Sequence, residues 1–322
     1  MPARIFRRAA AALMLLTAAF GAQAIDSQAP QPALIAPRAV ASLLLDVVAA
    51  GDAWIVVGER GHLLRSEDGS TWTQVPAPVR ATLTAAHFVD ARHGWAVGHD
   101  AVILATRDGG RTWALQHHQP ERGTPLLDVL FVDVRHGWAV GNFGLFLETV
   151  DGGTTWTAIE TPVVADDELT LHAITRLGNG DLLLVGERGR VIRSTDGGRT
   201  WKRWRAPDSL TLFGAAAVGP RGVLICGLRG TAWLREDLDR GDWQPIATGT
   251  AQALYGCAVT GRDTATLVGA AGTVLRVDLA GRRSQPLRGA AGGDGSAVVA
   301  GPDGLIVVGE GGVQRIATGA PK

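Results

Sequence analysis

The carboxylates that could do chemistry in this chain recur at a fixed distance from tryptophan. Ser66 to Trp72, Thr106 to Trp113, Thr149 to Trp156 and Ser194 to Trp201 are copies of one string; the last three read [ST]-x-D-G-G-x-T-W and the first lacks one residue. A general acid, base or nucleophile is needed once, whereas repetition suits a folding motif. In that reading Asp68, Asp108, Asp151 and Asp196 bond nearby amides and Trp72, Trp113, Trp156 and Trp201 pack between repeats. Gly109 and Gly110 supply positive backbone dihedrals to such a turn. Glycoside hydrolysis would need two carboxyl groups facing a sugar, or a sialidase set of tyrosine, acid and arginine cluster. The pairs Glu59 with Glu187 and Asp46 with Asp128 are conceivable, at a separation the sequence does not supply. Tyr255 is the single tyrosine, and no early Arg-Ile-Pro string marks a sialidase arginine site. No catalytic residue is therefore assigned. His117 and His118 are loop neighbours, and His93 and His136 share one repeat position, so no spacing resembles a zinc site and no metal or cofactor is expected.

The elements that must hold these residues follow from a second repeat. A dipeptide closes an apolar run at Val57-Gly58, Val97-Gly98, Val140-Gly141, Val185-Gly186, Cys226-Gly227, Val268-Gly269 and Val308-Gly309, at intervals of 40, 43, 45, 41, 42 and 40 residues. Each unit reads as four short strands without helical periodicity. Units of this length with Gly-rich turns are propeller blades rather than a sandwich or a helical solenoid. The expected fold is all-β, a seven-bladed β-propeller of four-stranded blades over residues 45–322. The last unit, Ser296 to Ile316, supplies three strands, while Ala33 to Val40 is a spare extended segment before the first. Residues 25–44 are expected to close the ring by completing the last blade, which removes an open sheet edge; a flexible leader is the alternative.

Arg4, Arg7 and Arg8 precede an apolar run from Ala9 to Phe20 and the pattern Ala22-Gln23-Ala24, which reads as a cleavable export signal over residues 1–24. The run is too short for a permanent membrane helix. The flanks of a twin-arginine signal are missing around Arg7-Arg8, and no cysteine follows for lipid attachment. Removal of the signal takes the charge balance from 31 against 31 to 28 basic against 31 acidic. A nearly neutral, exported chain gives no footprint for nucleic acid. It is expected to be periplasmic or otherwise exported, soluble after cleavage, and monomeric.

Strings such as Arg92-His93-Gly94-Trp95-Ala96-Val97-Gly98 followed by Thr106 to Trp113, repeated at Arg135 to Gly141 with Thr149 to Trp156, resemble the photosystem II stability/assembly factor family of Asp-box propellers. The resemblance is clearest from Leu45 to Trp201; blades five to seven keep the Val-Gly rhythm but lose the Asp-box, of which Gly241-Asp242-Trp243 is a remnant. It implies a lumenal or periplasmic propeller that assists assembly of a membrane protein complex without catalysis. It names no complex, and such relatives also occur in bacteria without a photosystem.

In a propeller the inner strand of each blade begins on the face that carries the turn between the second and third strands, opposite the Asp-boxes. That face would gather the position after each leading leucine, held by Asp46, Thr84, Asp128, His172, Phe213 and Tyr255. The turns add Glu59, Arg60, His99, Asp100, Asn142, Phe143, Glu187, Arg188, Leu228 and Arg229. Connections between blades bring Arg80, His117, His118 and Arg122 to the same side. Arginine and aromatic residues are common binding anchors, so this rim is the expected surface for a membrane or envelope protein complex; a solubilising set of turn residues is the bland reading. A carbohydrate-binding or sialidase-type hydrolase propeller is the functional alternative. Cys226 and Cys257 fall on adjacent blades, and the 10 Å spacing of stacked sheets favours two buried thiols over a bond unless the strands converge near the axis.

Overall fold

The computed structural model describes residues 29–165, 168–287 and 292–318. The export-signal reading of residues 1–24 lies outside them. Seven antiparallel sheets follow one another along the chain, six of four strands and the last of three. In blade 1 the strands are Leu44–Ala50, Ala53–Gly58, Leu63–Ser66 and Thr73–Val75. The inner strands of blades 2 to 7 are Leu83–Phe88, Leu126–Phe131, Leu171–Arg176, Leu212–Val218, Leu254–Gly261 and Gly295–Gly301. Neighbouring blades cover both faces of each second strand. Gly94–Gly98, Gly137–Gly141 and Leu182–Gly186 are accordingly buried at every position, which is why they read as unbroken apolar runs rather than alternating ones.

The Val-Gly repeat has a steric cause. A Cβ on Gly58 would stand 2.4 Å from Leu43 O, one on Gly98 2.0 Å from Thr82 O, and one on Gly141 2.2 Å from Pro125 O. Gly186, Gly227, Gly269 and Gly309 meet the equivalent carbonyls at 2.0 to 2.2 Å. Backbone dihedrals at Gly58 and Gly98 are extended, with φ of −174° and −177°, so it is the close approach and not the conformation that demands glycine.

The Asp-box tryptophans each reach back into the preceding blade. Trp113 packs with Ile55 and Val57 of blade 1, and Trp201 with Trp138 and Phe146 of blade 3. Trp156 lies edge-on to Phe131, which is stacked on Trp95 of blade 2. Trp72 joins Ile306 and Val308 of blade 7, so the same device shuts the ring.

Closure otherwise departs from the expectation. Residues 33–40 do not form a fourth strand on the last blade, whose sheet consists of Gly295–Gly301, Gly304–Gly309 and Gly312–Ala317. Instead the segment is a strap over the turn face of blade 1. Ala33 N donates to Ala77 O, Ala36 N donates to Gln74 Oε1, and Gln74 Nε2 donates to Leu34 O. A short helical turn, Ala39–Ala41, then passes against the last strand before the chain enters blade 1. Pro30, Pro32 and Pro37 bring no amide donor to this stretch, which suits a strap better than a ladder. Trp54 Nε1 donates to Ala300 O at 3.2 Å and Arg315 bonds Ser70, tying blades 1 and 7 by side chains.

Because Pro125 O blocks the space a side chain would need at Gly141, Gly141→Ala is expected to destabilise the protein by about 1–3 kcal/mol in chemical denaturation. Arg111→Ala, at an exposed site, is expected to change stability by less than about 0.5 kcal/mol.

Candidate functional site

Every inner strand opens with a one-residue bulge. The pairing register skips Leu45, Thr84, Leu127, His172, Phe213, Tyr255 and Ser296, one in each blade. A bulged residue leaves the ladder and its side chain is re-aimed. All seven skipped residues, with Leu43, Asp294 and Glu310, line one cavity of about 430 Å³ at the mouth of the central channel. Four of the six residues assigned from sequence to this rim are there: Thr84, His172, Phe213 and Tyr255. In blades 1 and 3 the slot belongs to Leu45 and Leu127, and Asp46 and Asp128 stand one residue deeper. The Leu-Leu-Asp strings hid the bulge, because either leucine can be taken as the leading one.

The two displaced aspartates are staples between blades. Asp46 accepts from Val47 N at 2.8 Å and from Ala86 N of blade 2 at 2.9 Å. Asp128 accepts from Val129 N and from Ile174 N of blade 4, both at 2.8 Å. Burial raises the Asp46 carboxyl to about 6, against the pull of these amides. Burial likewise raises Asp128 to about 7, with the charge of Asp46 adding to it. In blade 2 the same bridge is made by Thr84 Oγ1, which donates toward Val97 O and Leu126 O. The other conceivable acid pair is also committed to backbone: Glu59 accepts from Leu43 N and Glu187 from Thr170 N.

Around blades 4 to 6 the rim is aromatic. His172 and Phe213 meet edge to face at 4.9 Å, and Phe213 and Tyr255 at 5.5 Å. Next to Tyr255, Asp294 accepts from Ala271 N at 2.8 Å and Glu310 accepts from Asp294 N at 3.1 Å. Sequence reading missed Leu43, Leu45, Leu127, Asp294, Ser296 and Glu310. A signal for Glu310 was present, since it occupies the slot of Glu59 and Glu187 in the turn after the second strand.

Outside the mouth, each of these turns holds a non-glycine residue in left-handed backbone, Arg60, Asp100, Phe143, Arg188, Arg229 or Ala271, with φ between 53° and 58°; the next residue is also left-handed and is glycine except at Ala101. Such conformations cost non-glycine residues of order 1–3 kcal/mol each. Arg60, Phe143, Arg188 and Arg229 are exposed, Phe143 to 65%. His99 is exposed and Asn142 half-buried on the same turns. Arg80, Asp100 and His118 come together with Ala29, Pro30 and Gln31 of the strap in one cleft, while Arg122 is exposed on a neighbouring connection. Leu34 and Ile35 of the strap, 66% and 61% exposed, add an apolar element that sequence reading treated as closure or a flexible leader.

The Asp-boxes occupy the opposite end of the blades, where each carboxylate is used by its own turn. Asp151 accepts from the Thr149 and Thr155 hydroxyls and from Thr155 N, and Asp196 from the Ser194 and Thr200 hydroxyls and Thr200 N. These bonds hold both at about 2. Thr112 and Thr106 bring Asp108 to about 2 against its desolvation, and the amides of Thr71 and Ser70 hold Asp68 well below the usual range. Cys226 is buried and Cys257 half-buried, both free thiols. They meet over Gly214, whose missing side chain would stand 3.2 and 3.4 Å from the two sulfurs. Their hydrogen bond and burial push the Cys226 thiol up.

Blades, Asp-boxes and a bulge-lined mouth define an Asp-box β-propeller with one elaborated face. The model of the family described as photosynthesis system II assembly factor YCF48 matches residues 64–125 and 118–213. Photosystem II assembly protein Ycf48 of Thermosynechococcus vestitus is 29% identical over 213 residues, which are 64% of this chain and 59% of that protein. Over residues 64–213 the chain is similar to the photosystem II stability/assembly factor family. Its match thus spans about three fifths of that relative's length. Among solved structures, YCF48 bound to D1 peptide superposes with a TM-score of 0.69 at 19% identity, over 91% of this chain and 98% of that one. An ancestral GH74 enzyme gives 0.61 at 14% identity, over 73% of this chain and 36% of the enzyme. At these identities the superpositions establish the fold.

The two sets of aspartates impose opposite pH dependences. The Asp-box contribution, from lowered values, is present above the unfolded 3.8 and is lost as pH falls toward 2. Asp46 and Asp128, with raised values, bind protons more tightly folded than unfolded; their contribution is complete below 3.8 and is lost as pH rises through about 6 and about 7. Asp46→Asn and Asp128→Asn each lose an amide acceptor and are expected to be less stable throughout. Each is also expected to flatten the stability slope between about pH 4 and pH 7, by up to about 1.4 kcal/mol per pH unit, in urea titrations across that range.

Proposed function

We propose that this protein is an exported, non-catalytic binding factor that assists assembly of a membrane or envelope protein complex, and that it holds its partner on the turn face. One observation carries this reading. The left-handed slot of the turn accepts Ala271 in blade 6, so the fold does not require a large side chain there. Yet four blades place Arg60, Phe143, Arg188 and Arg229 in it, strained and exposed on one face. Strain kept without a packing return is characteristic of binding surfaces. Arginine and aromatic side chains are common anchors of protein interfaces. The assembly role of the named relatives supports the same reading, as does a structural neighbour's D1 peptide ligand. Among the described residues no helix is long and apolar enough to cross a membrane.

The test is crosslinking in intact cells and affinity purification from solubilised membranes, with Arg60→Glu, Arg188→Glu and Arg229→Glu combined as the comparison. Capture of one membrane complex, reduced about tenfold or more in the variant, is the expected result, with thermal melting unchanged because the three sites are exposed. Capture that is indifferent to the variant, or capture of glycan alone, would overturn the assignment of this face.

A further inference from the structure

The axial cavity has a chemistry of its own, distinct from the arginines around it. Leu43, Leu45 and Leu127 form an apolar side, and His172, Phe213 and Tyr255 continue it as an edge-to-face aromatic wall. Asp294 and Glu310 close the circle beside Ser296. Among the described residues no lysine or arginine lines it. Burial lowers the proton affinity of His172, which favours its neutral form. Burial, followed by the charge and hydrogen bond of Asp294, raises the Tyr255 hydroxyl, which therefore stays protonated.

The two carboxylates are oriented rather than used up. Each is fixed by a backbone amide, Asp294 by Ala271 N and Glu310 by Asp294 N, and Asp294 also accepts from the Tyr255 hydroxyl. A carboxylate offers about four lone-pair sites, so both retain acceptor capacity. Glu310 is exposed and Asp294 half-buried, which leaves them open to a ligand. An anion would meet repulsion here, and a purely apolar group would leave the carboxylates unmatched. A cation on an aliphatic stem satisfies all three walls: its stem lies against the leucines, its charge faces the aromatic wall, and its N–H donors reach the acids. The cavity, about 430 Å³, is at the small end for ligand sites and suits one side chain rather than a folded segment.

We propose that this pocket receives a lysine or arginine side chain presented by the partner protein. This rests on the reading that a protein partner docks on the turn face, and it names the chemistry at the centre of that contact. The arginine-bearing turns lie outside the mouth, so the face has a basic and aromatic periphery around an acidic socket. A matching partner surface presents a basic residue flanked by acidic ones.

Tyr255 is the only tyrosine in the chain, so 3-fluorotyrosine labelling of the whole protein places one ¹⁹F probe in the pocket wall. The ligands are the Nα-acetyl methylamides of lysine, arginine, glutamate and leucine, together with putrescine. The expected result is a saturable ¹⁹F shift with the lysine or arginine compound and none with glutamate or leucine. Affinity should fall about tenfold in Asp294→Asn/Glu310→Gln. Both amides keep an oxygen acceptor for the backbone N–H they hold, and Glu310→Gln alone, at an exposed site, serves if the double variant melts early. An equal response to glutamate or leucine, or binding unchanged in the variants, overturns the proposal. Tighter binding of putrescine than of the capped side chains reassigns the pocket to a free polyamine and also overturns it. Partner capture from membranes separates the two readings. If Asp294→Asn/Glu310→Gln captures the complex normally while the triple arginine variant does not, the face stands and the socket falls.

Discussion

The approach of each second strand to the start of its inner strand is the constraint from which the mouth of the propeller follows. Glycine ends the second strand because the carbonyl opening the inner strand occupies the volume of a side chain, at 2.0 to 2.4 Å from where a Cβ would be. The contact recurs in every blade, next to the bulge that ejects one residue from the ladder. That ejected residue becomes the lining of the channel mouth. A steric requirement of sheet packing thus creates seven side-chain positions that the ladder leaves free, and the turn beside each glycine creates another just outside.

What fills these positions differs around the ring. In blades 1 to 3 the polar groups of the inner strands are turned to structural use: Asp46, Thr84 and Asp128 each bridge to the next blade. From blade 4 onward the equivalents of Asp46 and Asp128 are Ala173, Gly214, Gly256 and Ala297. There the aromatic row His172, Phe213 and Tyr255 spans the blade boundaries instead. The absence of a side chain at Gly214 also lets Cys226 and Cys257 touch. The blades that lost the Asp-box are thus largely those whose inner strands carry small residues and whose rim is aromatic. Cohesion there rests less on buried carboxylates and more on ring contacts at the mouth.

The architecture was legible in the sequence because its causes are local and repeated. Val-Gly pairs report a close approach, and Asp-boxes report a turn whose acceptor is used within four residues of itself. Ring closure was not legible in the same way. It is a single event, and an extended, proline-containing segment reads alike whether it adds a strand or lies across a blade as a strap. The bulge falls on the residue named from sequence where one leading residue stands alone, as at Leu171-His172 and Leu254-Tyr255, and one residue earlier where two leucines precede an aspartate. Side-chain period in a strand is two, so that offset exchanges a residue facing the mouth for one stapling the blades.

Two populations of aspartate show how environment, and not residue type, divides structural from binding roles in this fold. At the Asp-box end, threonine hydroxyls and amides stabilise the anion at the surface, and the carboxylate is spent on the turn that presents it. In the channel, burial disfavours the anion at Asp46 and Asp128 although amides from two blades still hold it. Asp294 and Glu310 belong to neither group, being held by one amide each at the edge of a cavity. A carboxylate with acceptor capacity in reserve can recognise something outside the chain, whereas a saturated one cannot. Superposition on YCF48 and on a GH74 enzyme alike follows from the shared frame. The contents of the free positions are what make this propeller specific.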